Sequence, residues 1–494
     1  MTVTNPCDVF AARRARLHAL EAAGVCAYPA GAAPARVHAA RLHAAHAALA
    51  AGQEHPEAVV TVAGRIRAVR NSGLFMDLSD ESGTIQLFAD RDRPVAPGAL
   101  PPGDVQLGDV VEAHGHVRRT ARGELSVAVH SLRLLAANLH PLPDRRAGLR
   151  DTEIRYRRRY LDMLATPETV RTLRTRSAVV SALRRALETG DYLEVETPML
   201  HGVPGGATAR PFRTRHNALG REMHLRIAPE LHLKRLLVGG LERVFEMNRC
   251  FRNEGLSVRH DPEFTTLEVY RAYADGAAMM DLAGALLRTA AAAAGFPDGR
   301  VPFGGRTLDF GGPIPAAAMH DLVRGATGID FPALDPARAM AEAVRLGAPP
   351  AEAGGPRTWG HALEWVFGAV VEPTLVRPTF VTALPLDVSP LARASDDDPR
   401  LADRFELYAN GWELANGFTE LADPREQRRR FEAQAAAARA GDEEAMGLDE
   451  DYLTALEVGL PPAGGLGIGI DRLVMLLTGS PAIRDVIAFP TLRD

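Results

Sequence analysis

The stretch RVFEMNRCFRNEGLSVRHDPEFTTLEVYRAYAD, Arg243 to Asp275, decides the reading of the fold. Strands are expected over 243–252 and 263–273, where apolar and β-branched residues recur between turn signals. FRNEG places Arg252 at the end of the first strand, just before a turn at Gly255, and the return strand begins at Glu263-Phe264. The product is a β-hairpin whose loop gathers Arg252, Glu254, Arg259 and His260. Arginine is the donor expected for phosphate oxygens, because its planar fork binds two of them. Phe264 offers a flat face for a base. An ordinary structural hairpin satisfies the same pattern, so a second segment has to agree with it.

That segment is GLGIGIDRLVMLL, Gly465 to Leu477. Its glycines let a strand pack closely before a helix, and Arg472 sits near the helix start. Two arginines and one aromatic ring make a holder for a bent nucleotide. There is no GxxxxGK[ST] loop, and no GxGxxG opens a helix after a strand, so Walker and Rossmann modes of ATP binding are excluded. Around these segments helices are expected at 167–189, 229–239, 277–294 and 425–440, and further strands at 379–383, 405–414 and 464–470. Strands in runs with helices outside them indicate an antiparallel sheet in an α+β domain.

Upstream the pattern changes. VVTVAGRIRAV, LFMDLSD, GTIQLFAD, DVVEAHGHV and ELSVAVHSLRLL read as five short strands of period two. Five strands in about 80 residues indicate a small closed barrel of the OB type. Two helices precede it, one carrying Leu17, Leu20 and Val25, the other Leu42, Ala45 and Leu49, with a Pro/Gly stretch at 29–34 between them. The expected organisation is a helical arm (1–56), an OB-fold barrel (57–138), a proline-bearing linker (139–150) and an α+β catalytic domain (151–494).

The 494 residues, 46% hydrophobic and 24% charged, suit a globular protein of two or three domains. No apolar run approaches the length of a membrane span, and the opening stretch lacks the apolar core of a secretory signal. No membrane association is expected. Three cysteines without metal-ligand spacing fit a reducing cytoplasm. The net charge of −5 hides an uneven distribution. Arginines crowd 145–185, beginning with Arg145 and Arg146, whereas acid concentrates late, as in Asp442-Glu443-Glu444. Locally basic segments bind phosphate even in an acidic protein. Lys234 is the only lysine. A GC-rich genome accounts for the preference for arginine. With Glu230 it forms an i,i+4 pair, worth a few tenths of a kcal/mol on a helix.

The three segments GDYLEVETPML (190–200), 243–275 and 465–477 resemble motifs 1, 2 and 3 of the class II aminoacyl-tRNA synthetases. The motifs fall at about 175–200, 243–273 and 464–477. PGGATARPF (204–212), RIAPELHLKRLLVGGLERVFE (226–246), VSPLAR (388–393), ANGFTEL (415–421) and DEDYLTALEVGLPPAGGLGIGIDR (449–472) are similar to the bacterial lysyl-tRNA synthetases in particular. The resemblance implies an N-terminal OB-fold anticodon-binding barrel and a class II catalytic domain on an antiparallel sheet. It implies lysine activation by ATP and transfer to tRNA(Lys), with a homodimer formed through motif 1. Residue by residue, it implies that Arg252 contacts the α-phosphate and the amino acid carboxylate. Arg259 and His260 hold the outer phosphates. Phe264 and Arg472 sandwich the adenine, with Glu254 near its amino group. Glu406 and Glu413 hold Mg²⁺ bound with ATP. Glu268, Tyr270 and Glu420 meet the ε-ammonium, Gly206 and Glu230 the α-amino group, Asn416 the carboxylate, and Phe418 the aliphatic stem. In the barrel, Phe75 and Gln86 stack on and read the anticodon, assisted by Arg70 and Glu124.

Three positions depart from the family pattern. Asp261 stands where asparagine is common, Trp412 where a polar residue is common, and Ala415 where relatives have glycine or another small residue. Two rivals remain on the sequence: a paralogue that attaches lysine or β-lysine to a protein such as elongation factor P, and a non-catalytic RNA-binding homologue. The paralogue lacks the barrel, and the intact Arg252, Arg472, Glu406 and Glu413 count against the second.

Overall fold

Period-two patterning over the first third of the chain becomes a closed five-stranded barrel in the computed structural model, which describes residues 6–33, 35–90, 95–144, 148–439 and 445–493. Arg145, Arg146, Asp442, Glu443 and Glu444 lie outside the described residues. The chain divides into two compact units, Met1–Arg150 and Asp151–Asp494.

In the first unit the strands are β1 (Glu54–Arg70), β2 (Phe75–Ser79), β3 (Thr84–Phe88), β4 (Val110–Arg119) and β5 (Leu125–Ala136), closed in the order β1-β2-β3-β5-β4. Alternation sorts the side chains. Met76, Leu78, Ile85 and Leu87 fill the interior, each contributing about 2 kcal/mol through removal from water. Phe75, Asp77, Gln86 and Phe88 stand on the outer face. Helices α1 (Pro6–Ala22) and α2 (Ala39–Ala45) bury Leu17, Leu20 and Leu42 against the barrel core. Val25 and Leu49, expected within these helices, lie beyond their ends. α1 stops because Gly24 takes a left-handed conformation, φ +86°.

The second unit is built on an eight-stranded sheet. Its strands are β6 (Leu193–Glu194), β7 (Arg243–Phe251), β8 (Glu263–Ala272), β9 (Ala316–Ala318), β10 (Thr379–Thr382), β11 (Arg404–Ala409), β12 (Trp412–Thr419) and β13 (Ala463–Gly469). Their spatial order is β9-β10-β11-β12-β13-β8-β7-β6, antiparallel except at the two edges, where β9 lies parallel to β10 and β6 to β7. The single strand expected over 405–414 is in fact two. Asn410 and Gly411, with φ of 56° and 67°, turn the chain between β11 and β12. An Asn-Gly pair at positive φ is the strongest short hairpin signal, and the surrounding apolar run masked it.

Helices α3 (Pro167–Thr189), α5 (Gly276–Ala293) and α8 (Ile470–Thr478) pack on one sheet face, and α4 (Glu230–Val238) lies on the other side with α6 (Pro424–Arg439) and α7 (Glu450–Gly459). β13 shows how one strand serves both faces. Leu466 and Ile468 enter the core with Leu183, Leu187, Met279 and Val474. Gly465, Gly467 and Gly469 alternate with them and point the other way.

His232 of α4 meets His201 in a tilted ring pair with centroids 4.6 Å apart. Burial first, and then the neighbouring ring, push the His201 imidazole down to about 4, and His232 is lowered as well. The unfolded chain binds the His201 proton near pH 6.5, while the folded protein resists it until about pH 4. The contribution of His201 to stability is therefore complete above pH 6.5 and lost as pH falls through 4. In urea unfolding, the wild-type protein should lose roughly 2 kcal/mol more than His201→Gln between pH 7 and pH 4.5. Parallel pH profiles of the two proteins would refute this.

Candidate active site

The register of the three central strands builds the floor of a cleft. Asn416 of β12, Gly467 of β13 and Glu268 of β8 lie side by side, and so do Phe418, Gly465 and Tyr270. A glycine at the centre of each row is a steric requirement. A Cβ on Gly465 would collide with Glu420 Oε1 and the Tyr270 ring, and one on Gly467 would stand 3.1 Å from Glu268 Oε1. The cleft is lined by Gly206, Glu230, Arg252, Phe264, Glu268, Tyr270, Glu413, Asn416, Phe418 and Arg472 among others.

At one end the cleft is acidic. The Tyr270 hydroxyl donates to Glu268 Oε2 at 3.2 Å. Burial first, and then the charge of Glu230, push the Glu268 carboxyl up to about 8. Burial likewise raises Glu420 to about 8 against the pull of Lys234. Glu420 lies behind Gly465, buried, and Lys234 Nζ pairs with it and with Glu230 Oε1, 2.6 Å away. Burial alone would drive the Lys234 ammonium to its neutral form, but the Glu230 and Glu420 charges outweigh it and hold its pKa above the usual lysine range. Gly206, at φ +87°, brings its backbone against Ala228 and Glu230, a conformation that a side chain would strain. Two buried carboxylates, Glu230 and Glu420, thus share one ammonium, and Glu268 lines the cleft beside them with, among the described residues, only Tyr270 as a hydrogen-bond donor.

At the other end the cleft is cationic. Arg252 follows β7, and its guanidinium lies 5.1 Å from the Phe264 ring centroid, with Nε buried and without a hydrogen-bond partner. Arg472 opens α8. It donates from Nη1 to Glu413 O at 2.9 Å and from Nη2 to His260 Nε2 at 3.1 Å. His260 therefore accepts at Nε2 and donates from Nδ1 to Ser257 Oγ at 2.8 Å. Burial first, and then Arg472, keep its pKa low and the ring neutral. Arg259 Nη1 reaches Gly411 O at 3.3 Å, and Glu254 stands exposed on the hairpin loop. Asp261 closes the hairpin turn by accepting from the Glu263 and Thr491 amides.

Glu406 and Glu413 lie on the same hairpin, β11 to β12, with Glu413 lining the cleft and Glu406 buried behind it. Arg404 Nη2 and the Tyr408 hydroxyl each donate to Glu406 at 2.6 Å. Burial first, and then Glu413, raise the Glu406 carboxyl to about 7 although Arg404 opposes this. Two mutually repelling carboxylates, one of them beside Arg472, are a donor set that fits a hard divalent cation such as magnesium. Among the described residues no cluster of three His, Cys, Asp or Glu side chains is placed to hold a metal without such help.

On the barrel, the outer face of β2 and β3 carries the expected residues. Phe75 and Phe88 are register partners with rings 5.4 Å apart, and Asp77 faces Gln86. Ser126 donates to Gln86 Oε1 at 2.9 Å. Arg70 is opposite Phe75 and grips Asp77 at 2.6 and 2.9 Å. Glu124 is exposed, and its charge helps raise the Arg70 pKa after the Asp77 hydrogen bond.

Residues 151–493 match the family of tRNA synthetases class II (D, K and N), and residues 60–135 match the OB-fold nucleic acid binding domain. The chain belongs to the class II tRNA synthetases. Its relatives in this family include the lysine–tRNA ligase of Rhizobium meliloti (strain 1021), 50% identical over 88% of this chain and 87% of the relative. That of Synechococcus sp. (strain CC9311) is 50% identical over 91% of each chain, and that of Gloeobacter violaceus is 51% identical over 90% of each. Among the described residues of this class II synthetase, no helix is long and apolar enough to cross a membrane.

Several residues of the synthetase site escaped sequence reasoning. Arg404 ties Asn416 Oδ1 (3.0 Å), Glu406, Val388 O and Ser389 Oγ together, which explains why VSPLAR belongs to the site. Asp471 accepts from the Thr265 amide and from Arg176, fixing the start of α8 beneath Arg472. On the barrel, Phe88 and Arg118, whose guanidinium lies 4.4 Å from that ring, extend the aromatic surface. Phe88 was readable from its even spacing with Gln86, and Arg118 from no local signal. Trp412 packs edge-on against Phe303, outside the site. Ala415 is buried at the cleft wall.

Proposed function

We propose that this chain is a lysine–tRNA ligase, converting L-lysine and ATP to lysyl-adenylate and pyrophosphate and then transferring the lysyl group to the terminal ribose of tRNA(Lys). The observation that carries the reading is one cleft lined by Glu230 and Glu268 at one end, with Glu420 buried behind its Gly465 wall, and by Arg252, Arg259 and Arg472 at the other. Glu268, Tyr270 and Glu420 hold the ε-ammonium, Phe418 covers the aliphatic stem, and Gly206 with Glu230 takes the α-amino group. Asn416 and Arg252 take the carboxylate. An uncharged isostere is rejected because it leaves buried carboxylates unpaired. Phe264 and Arg472 enclose the adenine with Glu254 near its amino group, while Arg259 and His260 draw the pyrophosphate away. Arg252 bridges carboxylate and α-phosphate, so attack at phosphorus is favoured by orientation and charge stabilisation without a covalent enzyme intermediate. Glu406 and Glu413 would hold Mg²⁺ brought in with the ATP, and it would supply neutralisation of the polyphosphate.

The barrel reads the anticodon through Phe75 and Gln86, with Arg70 and Glu124 framing the surface. The exposed apolar side chains of Leu193, Met199, Leu200 and Val203 support a homodimer through motif 1, and the cytoplasm is its compartment. The test is ATP–pyrophosphate exchange with lysine, β-lysine and ornithine, followed by charging of tRNA. Lysine-dependent exchange and charging are expected. Exchange with β-lysine and modification of elongation factor P, without charging, would transfer the reading to the paralogue. Phe75→Ala should lower charging through a higher KM for tRNA, by about tenfold, and leave exchange at its wild-type rate. Equal damage to both reactions would undo this division between the units.

A further inference from the structure

Of the 57 lysine and arginine residues in this chain, 56 are arginine, and the exception is Lys234. Wherever else a cation stands, a guanidinium serves. At position 234 the structure shows why it does not. The side chain has no exposed surface, nor has that of Glu420, and Glu230 is buried beside them. Lys234 Nζ is 2.6 Å from Glu230 Oε1, ion-paired with Glu420, and 5.4 Å from the Phe418 ring centroid. An ammonium is a compact point charge with three rotatable donors, whereas a guanidinium is a wider planar fork that cannot turn to two carboxylates in so closed a space. Surface helix pairing, the ordinary role of an i,i+4 Glu and Lys, does not describe a pair that is wholly buried.

The neighbours of this ammonium are the groups assigned above to the substrate. Among the described residues, no hydrogen bond from any group other than Lys234 reaches either Glu420 oxygen. Glu230, Glu268 and Glu420 present three carboxylates. L-Lysine brings two ammonium groups, so its binding leaves one carboxylate unmatched unless a third cation is built in. Buried charge without a partner is costly. We propose that Lys234 is a positioning residue for substrate selection: its ammonium ion-pairs Glu230 and Glu420 from behind, fixes where their carboxylates point, and completes a charge balance that only a substrate with two ammonium groups satisfies. The inference rests on the reading of Glu230, Glu268 and Glu420 as the substrate carboxylates.

A chain with one lysine allows a direct test without mutation. Incorporation of lysine labelled at Cε and Nζ gives full-length protein with a single labelled side chain, observed by NMR after removal of free label. Saturating unlabelled L-lysine is expected to shift the resonance, and saturating L-norleucine to leave it in place. A resonance unmoved by L-lysine overturns the proposal. In exchange assays, Lys234→Met is expected to raise the KM for lysine at least about tenfold while the KM for ATP moves less than about twofold. Lys234→Arg is expected not to restore it, and an arginine variant with wild-type lysine KM overturns the argument from shape. Glu268→Gln separates the two levels. Weakened lysine binding in that variant beside an unmoved Lys234 resonance rejects only the role of Lys234. Unweakened binding rejects the pocket assignment itself.

Discussion

Arg252→Ala lowers lysine-dependent ATP–pyrophosphate exchange by about a thousandfold, the scale at which loss of a preorganised cation shows in phosphoryl and acyl transfer. Among the described residues this guanidinium has few ties. It rests 5.1 Å from the Phe264 ring, and its Nε has no partner. A buried donor left unsatisfied is a cost that substrate binding relieves. Its removal should therefore move the thermal midpoint of the free enzyme little while the chemical step collapses. Arg252→Lys keeps the charge but not the fork, and is expected to recover less than about a tenth of the lost rate. Single-turnover measurement of adenylate formation separates the chemical step from binding. A variant that forms adenylate at the wild-type rate would remove Arg252 from the mechanism.

Glu268→Gln weakens lysine binding by about a hundredfold or more, as expected when one partner of a desolvated ion pair is neutralised. The wild-type enzyme should also show a steeper pH dependence than the variant, which keeps only the raised carboxyl of Glu420. Burial and the Glu230 charge push the Glu268 carboxyl up to about 8, so below that pH the empty pocket holds a proton there. An ammonium binds the ionised form, so the proton must leave. Lysine affinity therefore rises as pH climbs from 7 to 8.5, with proton release at neutral pH. Calorimetric titrations in two buffers of different ionisation enthalpy measure that release. Equal release in wild type and Glu268→Gln would show that the proton comes from elsewhere.

The barrel was legible because its signal is local. Five short runs with period two fix which residues are inside, and therefore that Phe75 and Gln86 share the outer face. Asn410-Gly411 shows the limit. Its turn signal sits inside an apolar run that reads as one strand over 405–414, and φ values of 56° and 67° make it a hairpin. Turn chemistry overrides periodicity at this point of the chain. His201 and His232 give a further case, since neither sequence neighbourhood announces a ring pair between segments roughly thirty residues apart.

What the sequence determined by itself was the local grammar: strand alternation, the loop that collects Arg252, Arg259 and His260, the glycines of β13, and the family to which their combination belongs. What only the tertiary structure decided was which charges meet. Asn416, Gly467 and Glu268 come from three strands, and Lys234 reaches Glu420 from a helix nearly two hundred residues earlier. Hydrophobic periodicity is a property of neighbours in the chain and survives in one dimension. The partner of a buried charge depends on distance and on exclusion of water, and both exist only once the strands have been laid side by side.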